Sequence, residues 1–285
     1  MCECAPVNPY AADPGDVVKH LVLAELLHVE RRRITTYIDT HSGRPWNDLS
    51  RPGYTFADAD RQPRAAWADD FMKLAVSGVL GRDVKNARYT KILQKDRGSG
   101  MFWRRAGLSS RPVYPGSVGI ALASDLSVEA WFCGEINRAD QKRLRAALPA
   151  GSVFRSLISA PGRARVDRAV APDGFVLVDP FDLHSGSEDA RSARDFVLHA
   201  SREGALVEAW YPLFARNTPA AITDTWRSVA HGPNLEVRWS AGNASTLQGA
   251  GIIVTNPGEP AALRITTLTA GLEPIYGKAE IRGRL

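Results

Sequence analysis

Residues 174–182 read GFVLVDPFD, an apolar run that stops at Asp179 and is followed at once by Pro180. A run that is apolar on both faces is typical of a buried strand in a parallel sheet, because helices cover both sides of such a sheet. The residue before a proline is disfavoured in the helical region, so Asp179 should be extended at the strand tip. Ligands of open α/β sheets bind outside these carboxyl ends. The stretch therefore predicts an α/β fold with a ligand site beside Asp179.

A second predicted strand, residues 34–38, also ends on an acidic residue, Asp39. A short loop follows and contains His41 and Gly43. Two acidic strand tips, the first followed by a glycine-containing loop, indicate a site for a nucleoside-bearing cofactor.

Composition is that of an ordinary globular protein, with 285 residues, 44% hydrophobic and 24% charged. No apolar stretch approaches the roughly 20 residues that span a bilayer, and the first residues lack the pattern of a signal peptide. We therefore expect a cytoplasmic protein with no membrane partner. A net charge of +5 and a pI near 9.2 permit contact with nucleic acid without requiring it. Three cysteines argue against a disulfide scaffold, and no metal site is predicted.

Strands alternate with helices along the chain, which favours a doubly wound, mostly parallel sheet with an antiparallel carboxyl edge. Residues 44–112 break this pattern and read as a mostly helical insertion. The predicted domains are therefore an α/β domain of residues 1–43 and 113–285 and an inserted subdomain of residues 44–112. The other predicted strands span 128–133, 152–157, 175–178, 205–210, 235–239 and 251–255, and the predicted helices span 16–30, 64–78, 118–123, 139–147, 189–202 and 219–229.

Polar residues gather at the predicted carboxyl edge. Glu135 follows a strand and is placed to accept the two ribose hydroxyls of a nucleoside cofactor. Asp39 is placed to contact a charged amino acid moiety or to orient the glycine loop. Ser117, at a helix start, offers a hydroxyl and backbone donors to a carboxylate. Lys19 and His20, on the first helix, are expected to face the same crevice.

The order of these motifs resembles the bacterial family J of methyltransferases that N6-methylate an adenine of large-subunit ribosomal RNA. The matching segments are DVVKH (16–20), YIDTHSG (37–43), YPGS (114–117), GEIN (134–137), VDPF (178–181), WYP (210–212) and GAGIIVTNP (249–257). The resemblance implies a Rossmann-like class I methyltransferase fold with helices on both faces of the sheet and a helical insertion after the first strand. It also implies S-adenosyl-L-methionine as the cofactor.

The resemblance also implies roles for individual residues. Asp179 falls on the catalytic aspartate of the family's Asp-Pro-Pro-Tyr motif. Its carboxylate, or the Pro180 carbonyl, would accept a hydrogen from an exocyclic amine and so localise the nitrogen lone pair. The positions that match cofactor-binding residues of the family are Lys19, His41, Ser117 and Glu135.

The catalytic motif departs from the family, since Asp-Pro-Pro-Tyr is here Asp179-Pro180-Phe181-Asp182. The tyrosine that would stack on an adenine has become Asp182, which has no aromatic face. Phe181 offers an aromatic surface one residue earlier, pointing elsewhere. Asp182 near the acceptor suits an amine-bearing substrate, which a carboxylate can orient or deprotonate.

Two further departures lie nearby. The family's histidine-rich amino-terminal stretch is replaced by residues 8–15, NPYAADPG. The Gly-Ala-Gly of the cofactor loop is here Gly43-Arg44-Pro45, and losing a glycine narrows the close backbone approach that a cofactor needs.

Three functions follow from these residues. The first is a cofactor-dependent N-methyltransferase repurposed for a small-molecule amine of specialised metabolism. The second is methylation of an adenine N6 in large-subunit ribosomal RNA. The third is a non-catalytic binding protein that keeps the fold. The expected partner is accordingly a small-molecule acceptor or RNA.

Overall fold

The protein, seen in a computed structural model, is described over residues 11–48, 65–98, 113–158, 160–180, 188–214, 234–238, 247–276 and 278–282. Its helices are α1 (Pro14–Val29), α2 (Ala65–Ser77), α3 (Gly81–Asn86), α4 (Arg88–Gly98), α5 (Ser117–Ala123), α6 (Arg138–Ala147), α7 (Ala160–Val166), α8 (Glu188–Arg202), α9 (Glu259–Ala270) and α10 (Glu273–Tyr276). Its strands are β1 (Thr36–Asp39), β2 (Trp46–Asp48), β3 (Val113–Pro115), β4 (Ala130–Gly134), β5 (Val153–Phe154), β6 (Gly174–Val178), β7 (Leu206–Phe214), β8 (Asn234–Arg238), β9 (Leu247–Thr255) and β10 (Lys278–Arg282).

Within these ranges an eight-stranded sheet has the order β10-β8-β9-β7-β6-β1-β4-β5. The five strands from β7 to β5 are parallel, and β9, β8 and β10 extend the sheet in antiparallel pairings. Helices cover both faces of the sheet, which confirms the predicted α/β class and its antiparallel edge. The central strand β1 pairs with both β4 and β6, so their carboxyl ends meet at one edge.

Helix α1 is buried on nearly every side, since each residue from Val17 to Leu27 is buried. One side lies on β7 and β9, and other sides pack against α2, α4, α5 and α9. A helix that is apolar all round is typical of a fully enclosed position. The insertion and the parallel sheet therefore share α1 as a common packing surface.

The start of α1 differs from the sequence prediction, in which the helix began at residue 16. The helix begins at Pro14, and the Asp13 carboxylate accepts the Asp16 backbone N–H at 2.8 Å. Asp16 in turn accepts the Ala12 backbone N–H at 3.0 Å. Proline is favoured in the first turn because its missing N–H has no helical partner there, which moves the cap to the residue before it.

A two-stranded sheet near the two ends of the predicted insertion was not predicted from the sequence. Residues 113–115 form β3, which pairs antiparallel with β2. Helices α2 and α4 pack on α1. The division into an α/β domain and a mostly helical insertion stays a prediction. The predicted helix 219–229 lies outside the described residues.

Glycines allow the segment after Gly43 to lie directly on α5. A Cβ at Gly116 would overlap the Arg44 carbonyl oxygen, and one at Gly119 would overlap the Pro45 carbonyl oxygen. The Gly116 backbone N–H donates to the Pro45 carbonyl oxygen at 3.0 Å. Close backbone approach of this kind requires a residue without a side chain.

No helix in the described part of the chain is long and apolar enough to cross a membrane.

We expect Gly119→Ala to lower the free energy of unfolding by about 2 kcal/mol, because the steric overlap exceeds the roughly 1 kcal/mol gained in helix propensity. Urea denaturation followed by circular dichroism measures this change. The control is Thr267→Ala on the exposed side of α9, which also raises helix propensity but meets no backbone. Equal stability of Gly119→Ala and the wild type would contradict the close packing of this segment.

Candidate functional site

The candidate site lies at the carboxyl edge of the parallel strands. Asp39 is the last residue of β1, Glu135 follows β4, and Asp179 follows β6. Because β4, β1 and β6 are adjacent and parallel, the structure brings these three predicted carboxyl groups to the same edge. Pro180 follows directly and is buried.

Asp179 is paired with the ammonium group of Lys19 on α1. The same ammonium lies 2.8 Å from the Asp16 carboxylate. The Lys19 side chain is only 8% exposed; burial lowers its pKa, but the two carboxylates more than offset this and the pKa rises. Burial raises the pKa of Asp179, and Lys19 opposes that rise. At neutral pH, Lys19 is therefore a fixed positive charge between two carboxyl groups.

Asp39 is fully buried and accepts three hydrogen bonds. The Ser117 hydroxyl donates at 2.5 Å, the His41 backbone N–H at 3.1 Å and the Tyr37 hydroxyl at 3.3 Å. Burial raises the pKa of Asp39 to about 6, although the Ser117 and His41 donors oppose the rise. Asp39 thus holds the start of the loop after β1 through the His41 backbone N–H, and the Ser117 hydroxyl binds the other oxygen of the same carboxylate.

Glu135 borders the same edge in a partly exposed position. Its carboxylate accepts the Asn137 backbone N–H at 2.6 Å and also a backbone hydrogen bond from Gly43. Burial raises its pKa, and these donors oppose the rise. The next residue, Ile136, is 76% exposed, so a large apolar side chain lies on the surface beside this carboxylate.

The loop after β1, in which Gly43-Arg44-Pro45 replaces the family's Gly-Ala-Gly, directs the Arg44 side chain away from the strand tips. Gly43 has φ of +59°, which favours glycine, and open space surrounds its Cα within the described residues. The Arg44 guanidinium turns away and donates to Asp140 of α6 at 2.7 Å, with its side chain 4% exposed. Arg44 therefore anchors the loop to α6 and leaves the strand tips clear.

The two histidines predicted at the site have different surroundings. His20 is 2% exposed, and its Nδ1 lies 2.8 Å from the Tyr114 hydroxyl, which in turn lies 2.8 Å from the Tyr89 hydroxyl. This chain joins α1 to α4 and β3, so the geometry favours a packing role for His20. His41 Nδ1 lies 2.8 Å from the Thr40 hydroxyl. Burial lowers the pKa of His20 to about 3 and that of His41 to about 4, so both rings are neutral at pH 7.

Phe181 and Asp182, the other two predicted catalytic residues, lie outside the described residues. The cofactor and catalytic roles of the remaining residues stay predictions. Among the described residues, no group of three or more His, Cys, Asp or Glu side chains is placed to hold a metal ion.

One acidic residue near the site was missed from the sequence. Glu208 lies inside β7 and is fully buried, within electrostatic reach of Lys19, Asp39 and Asp179. The available signal was a charged residue inside the apolar run ALVEAW, because a carboxyl group in a buried strand is rarely retained without a role.

A cavity of about 250 Å³ between α1, α4 and α9 lies away from these strand tips. In its wall, Glu25 accepts the Arg264 Nε at 2.9 Å and also the Arg88 backbone N–H, so this carboxylate is already bound within the fold. We therefore place the functional site at the carboxyl edge of the sheet.

Comparison with known proteins supports the fold. No protein-family model matches the chain, and no curated protein matches it. The chain is similar in structure to protein LPL1258 from Legionella pneumophila strain Philadelphia 1, a crystal structure described under the family DUF519. The TM-score is 0.68 at 18% identity, over 95% of this chain and 97% of that chain. This likeness shows a shared fold, and neither sequence comparison supports the resemblance to the methyltransferase J family.

Asp39→Asn should remove a specific pH dependence of stability. With a native pKa of about 6 against an ordinary 3.8, native Asp39 binds its proton more tightly than the unfolded chain does. Its contribution to stability is therefore present below pH 4 and is lost as the pH rises through 6, by about 3 kcal/mol. The free energy of unfolding of Asp39→Asn minus that of the wild type should rise by this amount between pH 3 and pH 8.

Urea denaturation at several pH values measures this difference. Asp195→Asn, on the exposed side of α8, serves as the control. A difference for Asp39→Asn that stays constant across the range would show that the buried carboxyl does not titrate as stated.

Proposed function

We propose that the protein is an S-adenosylmethionine-dependent methyltransferase that acts on the nitrogen of a small amine-bearing acceptor. The observation that carries the proposal is the alignment of Glu135, Asp39 and Asp179 at the tips of three adjacent parallel strands. Asp179 stands before a proline at the end of β6, where the sequence resemblance puts the catalytic aspartate. The two outer tips are two strand spacings apart, about 10 Å, which a nucleoside with its sulfonium end can bridge.

The residues on the β4 side fit the nucleoside portion of the cofactor. The Glu135 carboxylate is partly exposed and has accepting capacity for ribose hydroxyls. Ile136 offers an exposed apolar surface beside it for a planar base. Among the described residues, open space lies beside the Cα of Gly43, in the loop that follows β1. These three neighbours supply the polar and apolar contacts that a nucleoside requires.

The electrostatics of the edge fit a cationic ligand. Asp16 and Asp179 pair with Lys19, Asp39 lies within electrostatic reach of it, and His20 and His41 are held neutral by burial. When bound, S-adenosylmethionine supplies an electrophilic methyl group on a positively charged sulfur. Carboxylates in a partly desolvated crevice stabilise such a charge more than they would in water.

On the β6 side, Asp179 and the Pro180 carbonyl have the chemistry needed to activate an amine. Either oxygen can accept a hydrogen from the acceptor nitrogen, which leaves the lone pair directed at the methyl group. The acidic surroundings favour an amine-bearing molecule, and Asp182 adds a further carboxylate in sequence. The position of its side chain lies outside the described residues.

Two alternatives carry different expectations. Methylation of an adenine N6 in large-subunit ribosomal RNA accords with the basic pI of about 9.2. A non-catalytic binding protein would keep the fold without binding or turning over the cofactor. The acidic lining of the strand edge favours the small-molecule acceptor over a polyanion.

Glu135→Gln should weaken binding of S-adenosylhomocysteine about tenfold, because hydrogen bonds to a charged acceptor become hydrogen bonds to a neutral one. Isothermal titration calorimetry measures the dissociation constant. Glu129→Gln is the matched control, because Glu129 is exposed at the opposite end of β4. Failure of the wild type to bind both S-adenosylmethionine and S-adenosylhomocysteine would remove the methyltransferase proposal and favour a binding protein.

Salt dependence should separate the two acceptors. Wild-type protein is screened with ribosomal RNA and with a panel of amine metabolites, and release of S-adenosylhomocysteine is followed between 50 and 200 mM salt. An RNA substrate held by several phosphate contacts should lose affinity about a thousandfold or more, whereas a small amine should change little. Asp179→Asn should abolish turnover while S-adenosylhomocysteine still binds. Turnover confined to RNA, with a steep salt dependence, would overturn the small-molecule acceptor.

A further inference from the structure

Glu208 is a buried carboxyl group that has no role in the proposed methyl transfer. It is 0% exposed in β7 and lies in register with Leu177 of β6 and Val254 of β9. Leu177 precedes Asp179 by two residues, so the strand alternation places Glu208 and Asp179 on the same face of the sheet. This is the face that α1 covers.

Neither carboxyl oxygen of Glu208 has a hydrogen-bond partner among the residues that the structure describes. A buried polar group without a partner lowers stability. Burial raises the pKa of Glu208 far above its ordinary value, which favours the neutral form of this carboxyl group. A carboxyl group that is buried without hydrogen-bond partners indicates a role in function and not in stabilising the ligand-free protein.

Among the described residues, Lys19 is the cation that acts on Glu208. Lys19 favours the ionised form of Glu208, whereas Asp179 and Asp39 oppose it. The titratable groups that interact with Glu208 are Lys19 from α1, Tyr37 and Asp39 from β1, and Asp179 from β6, while Val254 and Ile252 of β9 are apolar.

Lys19 creates a problem for the proposed reaction. Its ammonium pairs with Oδ2 of Asp179 and so lowers the ability of this carboxylate to accept a hydrogen from the acceptor amine. Asp16 also holds Lys19, so the ammonium can leave Asp179 without losing all of its partners. A second anion on the inner side of Lys19 would complete this exchange.

We propose that Glu208 is a positioning residue. When a cationic ligand enters the crevice, the Glu208 carboxylate takes the Lys19 ammonium from Asp179 and so frees Asp179 for the acceptor amine. The inference rests on the proposed function. Glu208 releases its proton to solvent as it becomes a carboxylate, and Lys19 remains protonated throughout. The sulfonium of S-adenosylmethionine provides the positive charge that drives the exchange, whereas the neutral sulfur of S-adenosylhomocysteine does not.

Calorimetry can count the protons released on binding. Titrations are run at pH 7.5 in two buffers with different ionisation enthalpies; Asp39, with a pKa of about 6, is largely ionised there. Wild-type protein should release up to about one proton with S-adenosylmethionine and close to none with S-adenosylhomocysteine. Glu208→Gln should abolish the release and weaken S-adenosylmethionine binding about tenfold relative to S-adenosylhomocysteine.

The matched control is Glu236→Gln. Glu236 is also a fully buried glutamate, but it lies on β8, two strands away, and accepts the Tyr211 hydroxyl at 2.8 Å. This variant should keep the proton release if it remains folded. Release that persists in Glu208→Gln, or that disappears equally in Glu236→Gln, would overturn the inference.

A stability measurement separates a functional acid from a structural one. Glu208→Leu should raise the urea midpoint at pH 7.5, because it removes an unpaired carboxyl from an apolar interior. A lower midpoint would show that the carboxyl supports the fold and would overturn the inference. If wild-type protein binds neither S-adenosylmethionine nor S-adenosylhomocysteine, the proposed function fails; if both bind without proton release that depends on Glu208, the inference alone fails.

Discussion

The parallel pairing of β1 with β4 and β6 determines where the candidate functional site lies. Thr36 to Asp39 pair residue by residue with Ala130 to Cys133 on one side and with Gly174 to Leu177 on the other. Side chains that follow these strands therefore emerge together. Three carboxyl groups, well separated in sequence, thereby share one edge of the sheet.

Gathering carboxyl groups in a partly desolvated place raises the pKa of each and requires compensation. Ser117 and backbone N–H groups supply hydrogen bonds to Asp39, and Lys19 supplies charge to Asp16 and Asp179. Glu208 receives no hydrogen bond from the described residues, and burial raises its pKa far above the ordinary value despite the charge of Lys19. The acids at this edge thus differ in how well their burial is compensated.

The sequence predicted the features that depend on local pattern. The apolar run before Asp179, the β1 tip and the alternation of strands and helices led to the observed sheet. The β2–β3 pairing was missed because each strand has three residues and their separation in sequence exceeds 60 residues. The side of α1 that carries His20 could not be predicted, because α1 is buried on nearly every side and its apolar residues do not mark the side that faces the site. Glu208 was recognisable in the sequence as a charge inside an apolar run, but its lack of hydrogen-bond partners among the described residues became visible only in the structure.

The burial of α1 also has a consequence for how the chain folds. This helix is synthesised before β7 and β9, yet it packs on both strands, and the Tyr276 hydroxyl donates to the Pro14 carbonyl oxygen at 2.8 Å across 262 positions. Its apolar surface therefore stays uncovered during translation until β9 has left the ribosome. Such delayed burial favours transient aggregation, so nascent chains of this protein should depend on chaperones until that strand has been made.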